Sequence, residues 1–214
     1  MKITEEVAQK VLTTVDAGLV AGVGNPAPGQ MCVEAAVCYA LGEPHGDKPS
    51  CVHPAVRAFK IVLNDAAWSS SQARAAGMRR VAIAQLGSLE IDAGKFSAYV
   101  AEQTIRRILP IVLRASGLEK EAARCETEGS QHAADAAYAA YDAADAADAA
   151  ADAAADAADA AADAAADAAA DAADAADAAA ARDKILSLSA EIAVEALILC
   201  NSEGVKYLSL TEKA

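Results

Sequence analysis

Apolar residues recur at helical spacing through the first half of the chain, then give way to a field of alanine punctuated by aspartate. Val7, Val11, Val15 and Leu19 step by four residues behind Thr4, Glu5 and Glu6, the pattern of an N-capped helix with acids at the positive end of its dipole. The run GVGNPAPG at 22–29 ends that helix. Met31 to Leu41 reads as a short helix stopped by Gly42, and EPHGDKPS after it is a polar loop rich in turn formers. Pro54 suits the first turn of a third helix through Val56, Phe59, Ile61 and Leu63. Serines 69–71 can cap a fourth, whose Met78, Val81, Ala82 and Leu86 precede Gly87. Asp92 opens a fifth through Phe96, Val100, Ile105 and Ile108, with Pro110 marking a kink or a restart. A strand-like alternation is confined to Val205 to Leu210.

Residues 145–177 contain only two amino acids, ten Asp and twenty-three Ala, with an eleven-residue period. The Asp steps of three and four average close to the helical repeat, so the carboxylates form one stripe and alanine covers the rest. Nine like-charge pairs cost about 2–5 kcal/mol at roughly 0.2–0.5 kcal/mol each. The alanines, each about 0.3–0.7 kcal/mol better than a middling residue, offset more than that. Neither Pro nor Gly occurs between Ser130 and Asn201, so the pattern predicts one helix over 131–201, about 105 Å long. Its alanine face is small enough to let a partner helix approach closely. The expected fold class is therefore all-α: a compact helical head domain (1–124), a joint at 125–130, a long Ala/Asp-rich C-terminal helix (131–201) and a tail (202–214).

Charge is segregated along the chain. Residues 1–124 hold 14 Lys/Arg against 12 Asp/Glu, a net of +2, and residues 125–214 hold 4 against 19, a net of −15, which together give the overall −13. An acidic rod repels phosphate, so no nucleic acid is expected along it. A basic protein partner, or the chain's own arginines, suits it better. MKITEEVAQKVL carries two acids where a secretory peptide needs a long apolar run, and no uncharged apolar stretch of membrane-spanning length occurs. Five cysteines, an odd number at irregular spacing, fit reduced thiols better than a disulfide framework. These features predict a cytoplasmic protein without a membrane partner.

Candidate chemistry is sparse. His45, Asp47, Cys51 and His53 lie within nine residues and are all zinc-ligand types, spaced H-x-D-x3-C-x-H. That spacing matches no strong zinc pattern, and a polar loop with a turn-capping Asp and a buried Cys accounts for it better. Zinc is accordingly a candidate and no other cofactor is expected. Cys51 with His45 or His53 has the residue types of a thiol nucleophile but no identifiable oxyanion hole or third residue. Glycines 22, 24 and 29 form no phosphate-binding fingerprint. The other candidate surface is electrostatic: Arg79, Arg80, Arg107 and Arg114 of the head against Asp145, Asp148, Asp152, Asp156, Asp159, Asp163 and Asp167 of the stripe, within one chain or between chains.

Residues 31–65, MCVEAAVCYALGEPHGDKPSCVHPAVRAFKIVLND, resemble a segment of uncharacterised bacterial proteins, some of which append Ala-rich repeats. The resemblance implies a shared head domain around Glu43, His45, Asp47, Cys51, Asn64 and Asp65, and carries no activity or ligand with it. The eleven-residue Ala-rich period also resembles the short helical antifreeze proteins of fish, but those carry Thr where this chain carries Asp. Taken together, the residues predict a non-enzymatic interaction or assembly protein that forms a homo-oligomer by helix pairing. The alternative is a small helical enzyme or metal-binding protein using the 43–53 loop.

Overall fold

The computed structural model describes residues 3–115, 119–128 and 172–212. It is all-α. The described residues form eight α-helices: α1 (Glu5–Asp16), α2 (Val33–Leu41), α3 (Pro54–Asp65), α4 (Ser71–Ala84), α5 (Ala93–Gln103), α6 (Leu109–Ala115), α7 (Glu119–Glu128) and α8 (Ala172–Leu199). A π-helical turn (Thr104–Ile108) joins α5 to α6, and a 3-10 segment (Glu203–Glu212) ends the described chain. Among the described residues, no helix is long and apolar enough to cross a membrane.

The helix ends follow local rules read from single residues. The Thr4 side chain accepts from the Val7 amide at 3.3 Å, and the Ser70 hydroxyl accepts from the Ala73 amide at 3.0 Å. Asp92 accepts from the Lys95 amide at 2.9 Å, and Pro54 occupies the first turn of α3. Gly42 ends α2 in the left-handed conformation, φ 72°, where any other residue would be strained. Pro110 brings no amide to the helix, and the turn before it widens so that the Leu109 amide reaches back to the Thr104 carbonyl. Val205 to Leu210 is not a strand. It lies inside the 3-10 segment, and the described residues offer it no ladder, only an isolated bridge between Gly24 and Met31.

The chain divides into two units, Met1–Ser97 with Leu186–Ala214, and Ala98–Ile185. In the first, α1 packs on α2 and α4, α2 on α3, and the 3-10 segment lies over α1 and α4. Val11, Leu12, Val15, Met78, Val81 and Ile83 are fully buried at the centre, and Phe96 meets Phe59 edge to face at 6.4 Å. In the second unit, α6 packs against α7. Arg114 grips Glu126 through two bonds of 2.7 and 2.8 Å, and Arg106 pairs with Glu102 at 2.9 Å. These pairs are on the surface and orient the helices more than they stabilise them.

Residues 186–212 belong to the first unit, where Ile192, Ala193, Val194, Ala196 and Leu197 of α8 are core residues. Asn201, at φ 54°, turns the chain out of α8. The Ser202 hydroxyl and the Gly204 amide then bond the Leu86 carbonyl at 3.3 and 2.6 Å, the hydroxyl also reaching Ala84 at 2.7 Å. The Tyr207 hydroxyl donates to the Ile3 carbonyl at 2.9 Å, joining the two ends of the chain. The expected joint at 125–130 is helical through Glu128 as the end of α7. Residues 129–171, which include the greater part of the repeat, lie outside the described residues.

Gly204 marks how tightly this closure is built. A Cβ there would run into the carbonyl oxygen of Ile83 and lie 2.9 Å from that of Leu86. Gly204→Ala is expected to destabilise the first unit by about 2 kcal/mol or more, as overpacking against fixed backbone does. The urea midpoint of the variant against the parent chain measures it; an unchanged midpoint would show that the 3-10 segment contributes nothing to the fold.

Candidate functional site

Burial of apolar faces leaves three polar side chains enclosed at the junction of α2, α3 and α4. Glu34 sits in the first turn of α2, Lys60 in the middle of α3 and Gln85 at the end of α4, all with 0% exposure. The Lys60 ammonium pairs with Glu34 Oε1 and donates to Gln85 Oε1. Beyond that ion pair the Glu34 carboxylate accepts no hydrogen bond, and Gln85 Nε2 has no acceptor. Desolvation pushes the Glu34 carboxyl above its ordinary range and the Lys60 amine below its own, each opposed by the attraction of the other.

Beside this pair, Asn64, Asp65 and Arg74 hold the glycine-rich loop. The Asn64 side chain accepts from the Val33 amide at 3.2 Å, which caps α2, and donates to the Val20 carbonyl at 2.9 Å and to Asp65 at 2.8 Å. Asp65 accepts from the Gly22 amide at 2.8 Å. The Arg74 guanidinium reaches three carbonyls, Asn64 at 2.7 Å, Leu19 at 3.1 Å and Ala66 at 3.4 Å, tying the end of α3 to the loop. A cavity of about 50 Å³ lies between the loop and α2, lined by Gly22, Cys32, Glu34, Asp47, Asn64 and Asp65 among others. It has room for one or two waters at roughly 30 Å³ each.

The residues singled out by the polar loop are separately engaged. His45 Nε2 lies 3.0 Å from the Gly24 carbonyl, so this nitrogen carries the proton and fastens the same loop. Asp47 faces Arg57 at 3.7 Å. His53 caps α3, its Nδ1 accepting from the Ala55 amide at 3.1 Å. Cys51 is buried, and burial pushes its thiol up and away from the thiolate a nucleophile needs. Glu43 closes the loop by accepting from the Ser50 amide at 3.1 Å. Among the described residues, no group of three or more His, Cys, Asp or Glu side chains is arranged to hold a metal ion. Cys38, pushed up to about 12 chiefly by burial, and Cys32, whose sulfur accepts from the Ala35 amide at 3.3 Å, are equally protonated thiols at neutral pH.

The arginines proposed to face the Asp stripe already have other partners. Arg79 makes two bonds to Asp16, at 2.7 and 3.1 Å, and donates to the Thr211 carbonyl. Arg80 pairs with Glu191 at 3.0 Å, Arg114 with Glu126 and Glu119, and Arg107 is engaged as well. Asp145, Asp148, Asp152, Asp156, Asp159, Asp163 and Asp167 lie outside the described residues. Sequence reasoning passed over Glu34, Lys60 and Gln85. The signal was present: Val56, Lys60 and Leu63 share one face of α3, and Glu34 is the single charge in the helix VEAAVCYAL. No protein-family model, curated protein or solved structure matches this chain.

Lys60→Met leaves Glu34 enclosed without its counter-charge and is expected to cost about 3–5 kcal/mol at neutral pH. Without Lys60, the Glu34 pKa stands further above its unfolded value, chiefly through desolvation. Stability relative to the parent is therefore lost as pH rises through the unfolded carboxyl range and is regained towards pH 4. Urea denaturation at the two pH values checks the sign. The double variant Glu34→Leu with Lys60→Met is expected to recover most of the loss; a double variant as weak as the single would show that the pair is not the cause.

Proposed function

We propose that this is a non-enzymatic interaction or assembly protein, with the Ala/Asp segment mediating self-association or spacing. The observation that carries the reading is the continuity of α8. A single helix of 28 residues begins in the last residues of the repeat, at Ala172, and ends as core of the first unit through Ile192 and Leu197. The repeat is thus gripped by a folded unit at its C-terminal end, as an arm or spacer must be to transmit position. Support also comes from Arg79, Arg80 and Arg114, whose partners Asp16, Glu191 and Glu126 lie outside the repeat and leave the stripe's charge for solvent or for a basic partner.

In such an assembly the alanine faces meet and the Asp stripes stay in water. Salt then screens stripe from stripe and strengthens the association, whereas a contact built on Arg–Asp pairing weakens as the Debye length falls to about 3 Å at 1 M. Light scattering after size exclusion, on the full chain and on a chain lacking residues 145–166, tests the reading. The expected result is a multimer or an extended particle whose mass or hydrodynamic radius changes with the deletion while the helical content of the head persists. Compact monomers from both chains would sink it.

A further inference from the structure

Lys60, Glu34 and Gln85 are chemically able to react with one another. The Lys60 amine is fully enclosed and touches both the Glu34 carboxyl and the carboxamide oxygen of Gln85. The carbonyl carbon of Gln85 lies one C=O bond, about 1.2 Å, beyond that oxygen. A nucleophile, an acyl group and a group able to carry protons are therefore held together by α2, α3 and the end of α4. Lys60 and Gln85 are 25 positions apart, so it is the fold that brings them into contact.

As an ion pair this arrangement is incompletely satisfied. Glu34 accepts no hydrogen bond beyond its contact with Lys60, and Gln85 Nε2 has no acceptor. Buried polar groups left in that state are costly, and a reactive role is one reason for keeping them. Burial raises the Glu34 carboxyl and lowers the Lys60 amine, so it favours passage of one proton from Lys60 to Glu34. A neutral amine then stands beside a carboxylic acid. A desolvated amine is a nucleophile, and a neutral acid in an apolar site donates to a carbonyl oxygen.

We propose that Lys60 and Gln85 join covalently, through an isopeptide bond between Lys60 Nζ and Gln85 Cδ formed with release of ammonia. Nζ attacks Cδ while Glu34 gives its proton to Oε1, and the Glu34 carboxylate so formed takes a proton from Nζ. The bond from Cδ to Nε2 then breaks. Glu34 passes its proton to Nε2, which leaves as ammonia, and the hydroxyl at Oε1 returns a proton to Glu34. One C–N bond forms and one breaks, no oxidant or reductant takes part, and Glu34 ends as the neutral acid. The product has neither the enclosed charges nor the unsatisfied Nε2, and exclusion of water protects the bond from hydrolysis. It ties the middle of α3 to the end of α4, next to the Leu86 carbonyl that receives the C-terminal segment.

Intact mass spectrometry of the full chain under denaturing conditions reads the bond directly and independently of assembly. The expected mass is that of the sequence less one ammonia. Tryptic peptides containing Lys60 and Gln85 are expected as one linked species, without cleavage after Lys60. Gln85→Met keeps a side chain of similar volume and removes the carboxamide, so it is expected at the full mass of its sequence with the helical content of the parent by circular dichroism. Glu34→Gln, which cannot carry the proton, is expected at full mass as well. A parent chain at the full mass of its sequence overturns the proposal, as does ammonia lost from Gln85→Met or at another residue. Loss of water in place of ammonia, mapped to Lys60 and Glu34, overturns Gln85 as the acyl donor. A Glu34→Gln chain linked as completely as the parent overturns the proton transfer through Glu34.

Discussion

The Lys60–Glu34 pair is the constraint on which the first unit is organised. Three helices converge on it, and none of them can shift by a turn without stranding a charge away from water, at a penalty of several kcal/mol per ion. An apolar junction of the same volume would tolerate sliding, because the hydrophobic effect has no direction. The pair has direction. It fixes the register of α2 against α3, and through Gln85 it fixes the end of α4, where the C-terminal segment docks.

That dependence runs outward to the loop. Asn64 and Asp65 follow Lys60 by about one turn of α3, so a correctly placed lysine also places the amide and carboxylate that hold Gly22 and Val20. Arg74, on α4, closes the same arrangement from the other side by taking the carbonyls at the end of α3. The cavity beside Glu34 is a consequence of this order. A loop with glycines at positive φ, tied by amides and carbonyls rather than by side-chain packing, does not fill the space against α2. Its size admits water, and both Glu34 oxygens are shielded from solvent, so the charge is matched by Lys60 rather than by hydration.

Local features were readable before any fold was known. Thr4, Gly42, Pro54, Ser70 and Asp92 act on backbone groups within four residues of themselves, and the sequence states such relations directly. The candidate loop was legible as polar but misleading as chemistry: His53 and His45 serve as a helix cap and a loop tie, and Cys51 as a small buried side chain. Asn64 and Asp65 drew notice only through their neighbours. Glu34 and Lys60 are 26 positions apart, and Ser202 lies 116 residues from Leu86. Nothing in either stretch names the other, because each is ordinary alone and the match exists only when both are enclosed. The same reason hid the burial of α8, whose apolar residues do not by themselves name the helices they pack against.

The place of the repeat between two halves of one unit gives meaning to its period. Eleven residues at about 100° each turn a helix through three full turns plus about 20°. Adding or removing one period therefore moves α8 along its axis by about 16 Å while hardly rotating it. Ile192 and Leu197 would still face the same way, so a change in arm length by whole periods keeps the docking face of the segment in phase with the Asp stripe. Insertion of one or two residues would rotate the stripe by about 100–200° relative to that face. A repeat patterned in elevens would, as a helix continuous with α8, be constrained in azimuth but free in reach.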